Sequence, residues 1–236
     1  MCTVSYVFSN NKVIITSNRD EKIARPKALV PKSYMGERKK MFFPKDSKAG
    51  GTWYVLDDKG NIMVLLNGAF EKHTPKEKYR KSRGLILLEI FDNCDCINKW
   101  FEINLDDIEP FTLIAYANKR LYQLRWDGNA KNTKELNNQE SYIWSSSTLY
   151  PNNIRTEREL LFKTFTQSKN IIKAKDIADF HEHTNSDDKE NGLIINRNNT
   201  LITQSITQTV INQNKMIFIH KDLINDKTYD NNFLML

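Results

Sequence analysis

Short apolar runs broken by polar turn residues set the layout of this chain. Residues 4–8 and 12–16, on either side of Ser9-Asn10-Asn11, predict an opening β-hairpin. Antiparallel pairing brings the start of the first strand beside the end of the second, so Cys2 and Arg19-Asp20 are expected to be neighbours. Residues 25–46 carry Pro26, Pro31, Pro44 and the basic patch Arg38-Lys39-Lys40, and are expected as a loop. Gly50-Gly51-Thr52-Trp53 turns into a strand, Asp57-Asp58-Lys59-Gly60 makes a turn, and residues 61–66 return to Asn67-Gly68 as a second hairpin.

Helical periodicity marks 82–91 and 94–101, with Asp92-Asn93 as break or N-cap. Residues 111–117 and 120–126 predict a third hairpin, followed by a polar, Asn-rich loop. A short strand is expected at 142–146, helices at 156–166 and 175–183, and closing strands at 193–195, 201–211 and 215–220. Hairpins and helices follow one another without the βαβ alternation of a parallel sheet, which points to an α+β class with antiparallel sheet packed on helices. Without an internal repeat or a long linker, residues 1–236 are expected as a single domain whose tail from about 225 is loosely held.

Composition narrows the partners only a little. Thirty-nine per cent hydrophobic residues with 4 Trp, 9 Tyr and 12 Phe supply a core despite a mean hydropathy of −0.60. A net charge of +6 and a pI near 9.0 allow an anionic partner, but no nucleic-acid motif accompanies them. Cys2, Cys94 and Cys96 cannot build a disulfide framework, which fits a reducing, cytoplasmic setting. The first apolar stretch has no signal-peptide pattern, and every later run is too short for a membrane span.

Chemistry enters at the amino terminus. A small residue after the initiator normally allows removal of Met1, leaving Cys2 with a thiol and a free α-amino group on one residue. With ordinary pKa values of about 8.5 and 7.7–8.0, the two groups can serve as nucleophile and base near neutral pH. The plain alternative is a small buried hydrophobe in the first strand. Arg19 and Asp20 have two readings as well: groups that activate Cys2, or an ion pair that ties down a hairpin end.

Met1-Cys2-Thr3, Asn18-Arg19-Asp20-Glu21, Arg25-Pro26, Gly50-Gly51-Thr52-Trp53 and Leu66-Asn67-Gly68 together resemble the NRDE family, also called the transport-and-Golgi-organization-2 family. A weaker likeness continues through Trp126-Asp127-Gly128, Trp144-Ser145-Ser146-Ser147 and Ser205-Ile206-Thr207. The resemblance implies an N-terminal nucleophile (Ntn) hydrolase fold, a four-layer αββα sandwich of antiparallel sheets. It also implies a relation to the choloylglycine hydrolase and penicillin V acylase group, which cleaves non-peptide amides with an N-terminal cysteine.

On that basis Cys2 attacks an acyl carbonyl and its amine relays the proton, Asp20 orients the amine, Arg19 favours the thiolate, and Asn67 aims its amide at the oxyanion. Choloylglycine-type enzymes carry a further catalytic Asn where this chain has the serines at 145–147, so Ser146 is the candidate donor there, with shorter reach. Many relatives also place an Arg near the last strands, where Ser205-Ile206-Thr207-Gln208 has none. Candidate substrate contacts are Asn18, Trp53, and Lys76 and Arg80 of the basic segment at 72–83, which suits a carboxylate or phosphate. Trp53 can equally be core, and the basic segment an ordinary solvated loop.

Two functions follow. The first is a hydrolase or acyltransferase acting on a small linear amide or thioester with no metal or organic cofactor. The second is a non-catalytic binding or trafficking protein that uses the same cleft for acyl-CoA, lipid or haem. His181-Glu182-His183 reads as a solvated helix end, because alternate helical residues diverge too far to share a metal.

Overall fold

The computed structural model describes residues 3–235 of the 236-residue chain. Cys2, the proposed nucleophile, lies outside the described residues. Contacts divide the chain into two compact units, residues 1–25 with 138–236 and residues 26–137.

The first unit holds strands β1 (Thr3–Ser9) and β2 (Lys12–Lys22), and the second unit opens with β3 (Leu29–Met35) and β4 (Lys40–Lys45). The second unit continues with β5 (Tyr54–Leu56), β6 (Ile62–Asn67), α1 (Arg83–Phe91), α2 (Cys96–Glu102), β7 (Phe111–Ala117), β8 (Arg120–Trp126) and β9 (Lys131–Leu136). The chain returns to the first unit with β10 (Tyr142–Ser145), α3 (Asn152–Gln167), α4 (Ala174–His183), β11 (Asn196–Arg197), β12 (Leu201–Asn212), β13 (Lys215–Asp222) and β14 (Lys227–Leu234).

All pairings are antiparallel. In the first unit the strand order is β10-β1-β2-β12-β13-β14, with β11 added to β12; in the second it is β3 through β9 in sequence. The opening hairpin turns through Asn10 and Asn11, both with positive φ (49° and 57°), the geometry a two-residue loop between twisted strands requires. Asn118 and Lys119 do the same between β7 and β8.

Helices α3 and α4 seal one face of the first sheet. Val7, Ile14, Ile143, Phe162, Ile172, Ile177, Phe180, Leu193 and Val210 form a core there, with Phe162 and Phe180 edge-to-face at 5.4 Å. Side chains of this size contribute about 1.5–3 kcal/mol each when fully buried. In the second unit Ser82 caps α1 and Asp95 caps α2 through the amides of Ile97 and Asn98. Asp92-Asn93 is the expected break between the two helices, and the Asp92 side chain acts beyond them. Its carboxylate accepts from the amides of Glu37 (2.7 Å) and Lys39 (3.1 Å) and so fixes the turn between β3 and β4.

Three segments differ from the sequence reading. The expected loop at 25–46 contains the β3–β4 hairpin, the polar loop after β8 is strand β9, and the tail is not loose but paired with β13 through Leu234. The strand expected at 193–195 lies instead at Asn196–Arg197.

Gly50-Gly51 combines two devices. Gly50 takes a positive φ (74°), whereas Gly51 sits against the start of α1, where an added Cβ would lie 2.4 Å from the carbonyl carbon of Gly84. A Cβ on Gly84 would in turn lie 2.7 Å from the Thr52 oxygen. Gly84→Ala is therefore expected to lower stability by about 1–3 kcal/mol in urea denaturation, and an unchanged midpoint would show that the contact relaxes at no cost.

Candidate functional site

Strand β1 runs between β10 and β2, so the first described residue has a neighbour on each side: Thr3 pairs with Asn18 and with Ser145. The Asn18-Arg19-Asp20 segment and the serine run at 145–147 thereby flank the beginning of the strand. Alternation along β2 then sends neighbouring side chains to opposite faces of the sheet.

Asn18 and Asp20 project to the helix face. Asp20, buried at 2% exposure, accepts the Tyr150 hydroxyl (2.8 Å) on one oxygen and the Thr203 hydroxyl (2.6 Å) on the other, which fixes the plane of its carboxylate. The Tyr150 ring lies 3.6 Å from the Arg158 guanidinium and 5.2 Å from that of Arg197. Tyr150 thus links Asp20 to Arg158, with its hydroxyl on the carboxylate and its ring against the guanidinium.

Arg158 itself is buried. It donates to the Thr3 hydroxyl (2.7 Å), the Ser145 hydroxyl (3.2 Å), the Gly192 carbonyl (2.6 Å) and the Asn191 carbonyl (3.0 Å). The residue at the start of β1 and the end of β10 are therefore held by one side chain from α3.

Asn18, expected to touch substrate, is fully buried and committed within the unit. Its Nδ2 donates to the carbonyls of Leu193 (2.7 Å) and His181 (3.0 Å). Its Oδ1 then faces His181 Nδ1 at 2.7 Å and can only accept, so the imidazole carries its proton on Nδ1 and takes the Ser5 hydroxyl on Nε2 (2.7 Å). Burial and the nearby Arg158 push the His181 pKa down to about 3. The expected solvated helix end is thus wrong for His181, while Glu182 pairs with Lys221 at 2.5 Å and His183 is exposed.

Arg19 projects to the opposite face, at 2% exposure. Gln204, the extra residue of a bulge in β12, accepts from its guanidinium, and Glu21 lies 3.6 Å from it. Ser146 is buried one residue beyond β10; its hydroxyl pairs with that of Thr148 (2.8 Å) and its carbonyl accepts from Leu149 and Tyr150.

The remaining candidates belong to the second unit. Asn67 ends β6, half-buried, followed by Gly68 at φ 81°. Trp53 is core at 2% exposure. Lys76 reaches Asp107 (2.9 Å), and Arg80 donates to the carbonyls of Asn104 (2.7 Å) and Asp106 (3.1 Å), so both tie the basic segment to the loop before β7. Among the described residues no group of three or more His, Cys, Asp or Glu side chains can hold a metal, and no helix is long and apolar enough to cross a membrane.

Sequence reasoning did not find Tyr150, Arg158 or Thr203. Arg158 had a readable signal: it shares a helical stripe with Phe162 and Phe165, and a charged residue at an apolar position marks a buried polar hub. Tyr150 and Thr203 had none, since their role depends on non-local pairing.

The sequence matches the family described as "Transport and Golgi organisation 2" over residues 1–231. The chain belongs to that family. No curated protein matches this family member. Among solved structures it is similar to two variants of conjugated bile acid hydrolase from Clostridium perfringens. The first has a TM-score of 0.64 at 10% identity, covering 98% of this chain and 92% of that one. The second has a TM-score of 0.63 at the same identity and coverage. It is also similar to the Caenorhabditis elegans ortholog of N-acylethanolamine-hydrolyzing acid amidase, with a TM-score of 0.61 at 12% identity, covering 89% and 92%. At these identities the likeness is one of fold, and the fold is that of the Ntn hydrolases.

Proposed function

We propose that this chain is an N-terminal-cysteine hydrolase or acyltransferase acting on a small linear amide or thioester. The observation that carries the reading is the setting of β1, whose first described residue lies between the Asn18-Arg19-Asp20 segment and Ser145-Ser146, with Asp20 pinned by Tyr150 and Thr203. Similarity to an amide-hydrolysing amidase and a bile acid hydrolase supports the reaction class.

In this mechanism removal of Met1 exposes the α-amine of Cys2. The amine takes the thiol proton, the thiolate adds to the acyl carbonyl, and the oxyanion is stabilised by hydrogen-bond donors, of which Ser146 is the candidate within the same unit. Collapse breaks the C–N or C–S bond, and the amine returns its proton to the leaving group. Water, or an acceptor amine, then releases the acyl group from sulfur. Asp20 orients the ammonium form and Arg19 supports the thiolate.

The test is the intact mass of protein purified from cells, before and after treatment with iodoacetamide. Complete loss of Met1 and a single adduct formed faster than on free cysteine, absent in Cys2→Ala, are the expected results. Retained Met1, or labelling at the rate of an ordinary thiol, would shift the reading to a ligand carrier on the same fold.

A further inference from the structure

On β2, Asn18 and Asp20 reach residues of the helix side, so Ser17 and Arg19 face away from the helices. On β12 the bulge at Gln204 reverses the alternation. Thr203 meets Asp20 and Gln208 donates to the Ala174 carbonyl on the helix side, which leaves Ser205, Thr207 and Thr209 on the same face as Ser17 and Arg19. Ser205 lies directly opposite Arg19, and Thr207 directly opposite Ser17. The result is a compact polar square on two adjacent strands.

The hydroxyls of Ser17, Ser205 and Thr209 are buried and have no hydrogen-bond partner among the described residues. Each such group costs about 1–3 kcal/mol relative to a paired one, and native structures keep few of them. Alanine at these small positions would pack without that cost. Thr207 shows the contrast, since its hydroxyl is satisfied by His220 Nδ1 at 2.8 Å.

Positive charge lies in the same square. Arg19 and Arg25 both approach Glu21, at 3.6 Å each. Asp222 lies opposite Ser205 on β13. Its carboxylate is turned into its own loop, accepting from the Ile224 amide (2.9 Å) and from the Asn225 amide (3.0 Å) and side chain (2.6 Å).

We infer that Ser17, Ser205 and Arg19 form a binding site for a carboxylate carried by the small molecule on which this protein acts. Two hydroxyl donors on a diagonal of adjacent strands, beside a guanidinium, match two oxygens that share one negative charge. The inference rests on the hydrolase reading for the reaction, and it narrows the substrate class to acid-bearing amides or thioesters. Thr209 extends the donor row along β12 towards the apolar end of the face at Ile15 and Phe218.

The test uses full-length Cys2→Ala protein, so that binding is measured without turnover. Two ligands of nearly equal size, N-acetylglycine and its uncharged counterpart N-acetylglycinamide, are titrated by calorimetry. N-acetylglycine is expected to bind at least tenfold more tightly. Adding Ser17→Ala and Ser205→Ala together is expected to abolish that preference while leaving the thermal midpoint of the unliganded protein unchanged or higher, because two unpaired donors are removed. Equal affinity for the two ligands, no binding of either, or a preference that survives the double substitution would overturn the site. Fast Cys2 labelling in the wild type with no carboxylate preference would remove this inference alone, whereas carboxylate binding with an unreactive Cys2 would remove only the hydrolase reading.

Discussion

Between pH 6.5 and pH 4 the protein is expected to lose on the order of 3 kcal/mol of stability for each of two buried histidines. His181 is held neutral in the folded state, with its pKa near 3, and His220 near 4, in both cases chiefly because burial disfavours the charged ring. In the unfolded chain both return to about 6.5. Below that value the unfolded state binds protons that the folded state refuses, so stability falls as the pH falls; above it neither state binds them and the contribution is fully present. Urea midpoints measured between pH 7.5 and 5 isolate this effect, because Asp127, Asp176 and Asp222, whose pKa values are lowered from 3.8, add their own loss only at more acid pH. His181→Gln should flatten roughly half of the slope. A flat profile from pH 6.5 to 5 would mean that the rings charge freely in the folded protein.

Arg158→Met is expected to cost about 3–5 kcal/mol at neutral pH, since it removes a group bonded to Thr3, Ser145, Asn191 and Gly192 and leaves buried carbonyls unpaired. The loss has a direction in the fold: the start of β1 and the end of β10 lose their common tie. Arg158→Lys should recover little, because a single ammonium cannot reproduce a planar fork that serves two hydroxyls and two carbonyls at once while lying over Tyr150. Guanidinium denaturation of the three proteins measures the cost, and amide exchange at residues 4–7 reports whether β1 has loosened. A loss under about 1 kcal/mol would show that the contacts are replaced by water.

What the sequence could and could not reveal follows from where each segment lies in its sheet. Central strands such as β1, β6, β7 and β12 are flanked on both sides, and their apolar residues make them readable one at a time. Four strands were taken for loop or tail: β4, which is flanked by β3 and β5, and β3, β9 and β14, which are edge strands. Half of the backbone groups in the edge strands face away from any partner, and these strands carry the lysines, prolines and asparagines that protect an open edge, which are also the residues of loops. Pro31 is tolerated in β3 for that reason. The arrangement around Asp20 was legible only in part. Pairing of adjacent strands brought Arg19 and Asp20 to the start of β1, but the residues that hold them, Gln204, Thr203 and Tyr150, arrive from segments 130 or more positions away.

That distance has a consequence for how the molecule is made. The unit at residues 26–137 is continuous, and each strand of its sheet pairs with the next in sequence, a pattern of low contact order that can close while the chain is still being synthesised. The other sheet cannot, because β2 pairs with a strand whose Thr203 meets Asp20 across 183 positions. The β1–β2 hairpin closes locally, but the other side of β2 stays open until β12 has been made, so the apolar residues of β2 depend on the inserted unit folding promptly.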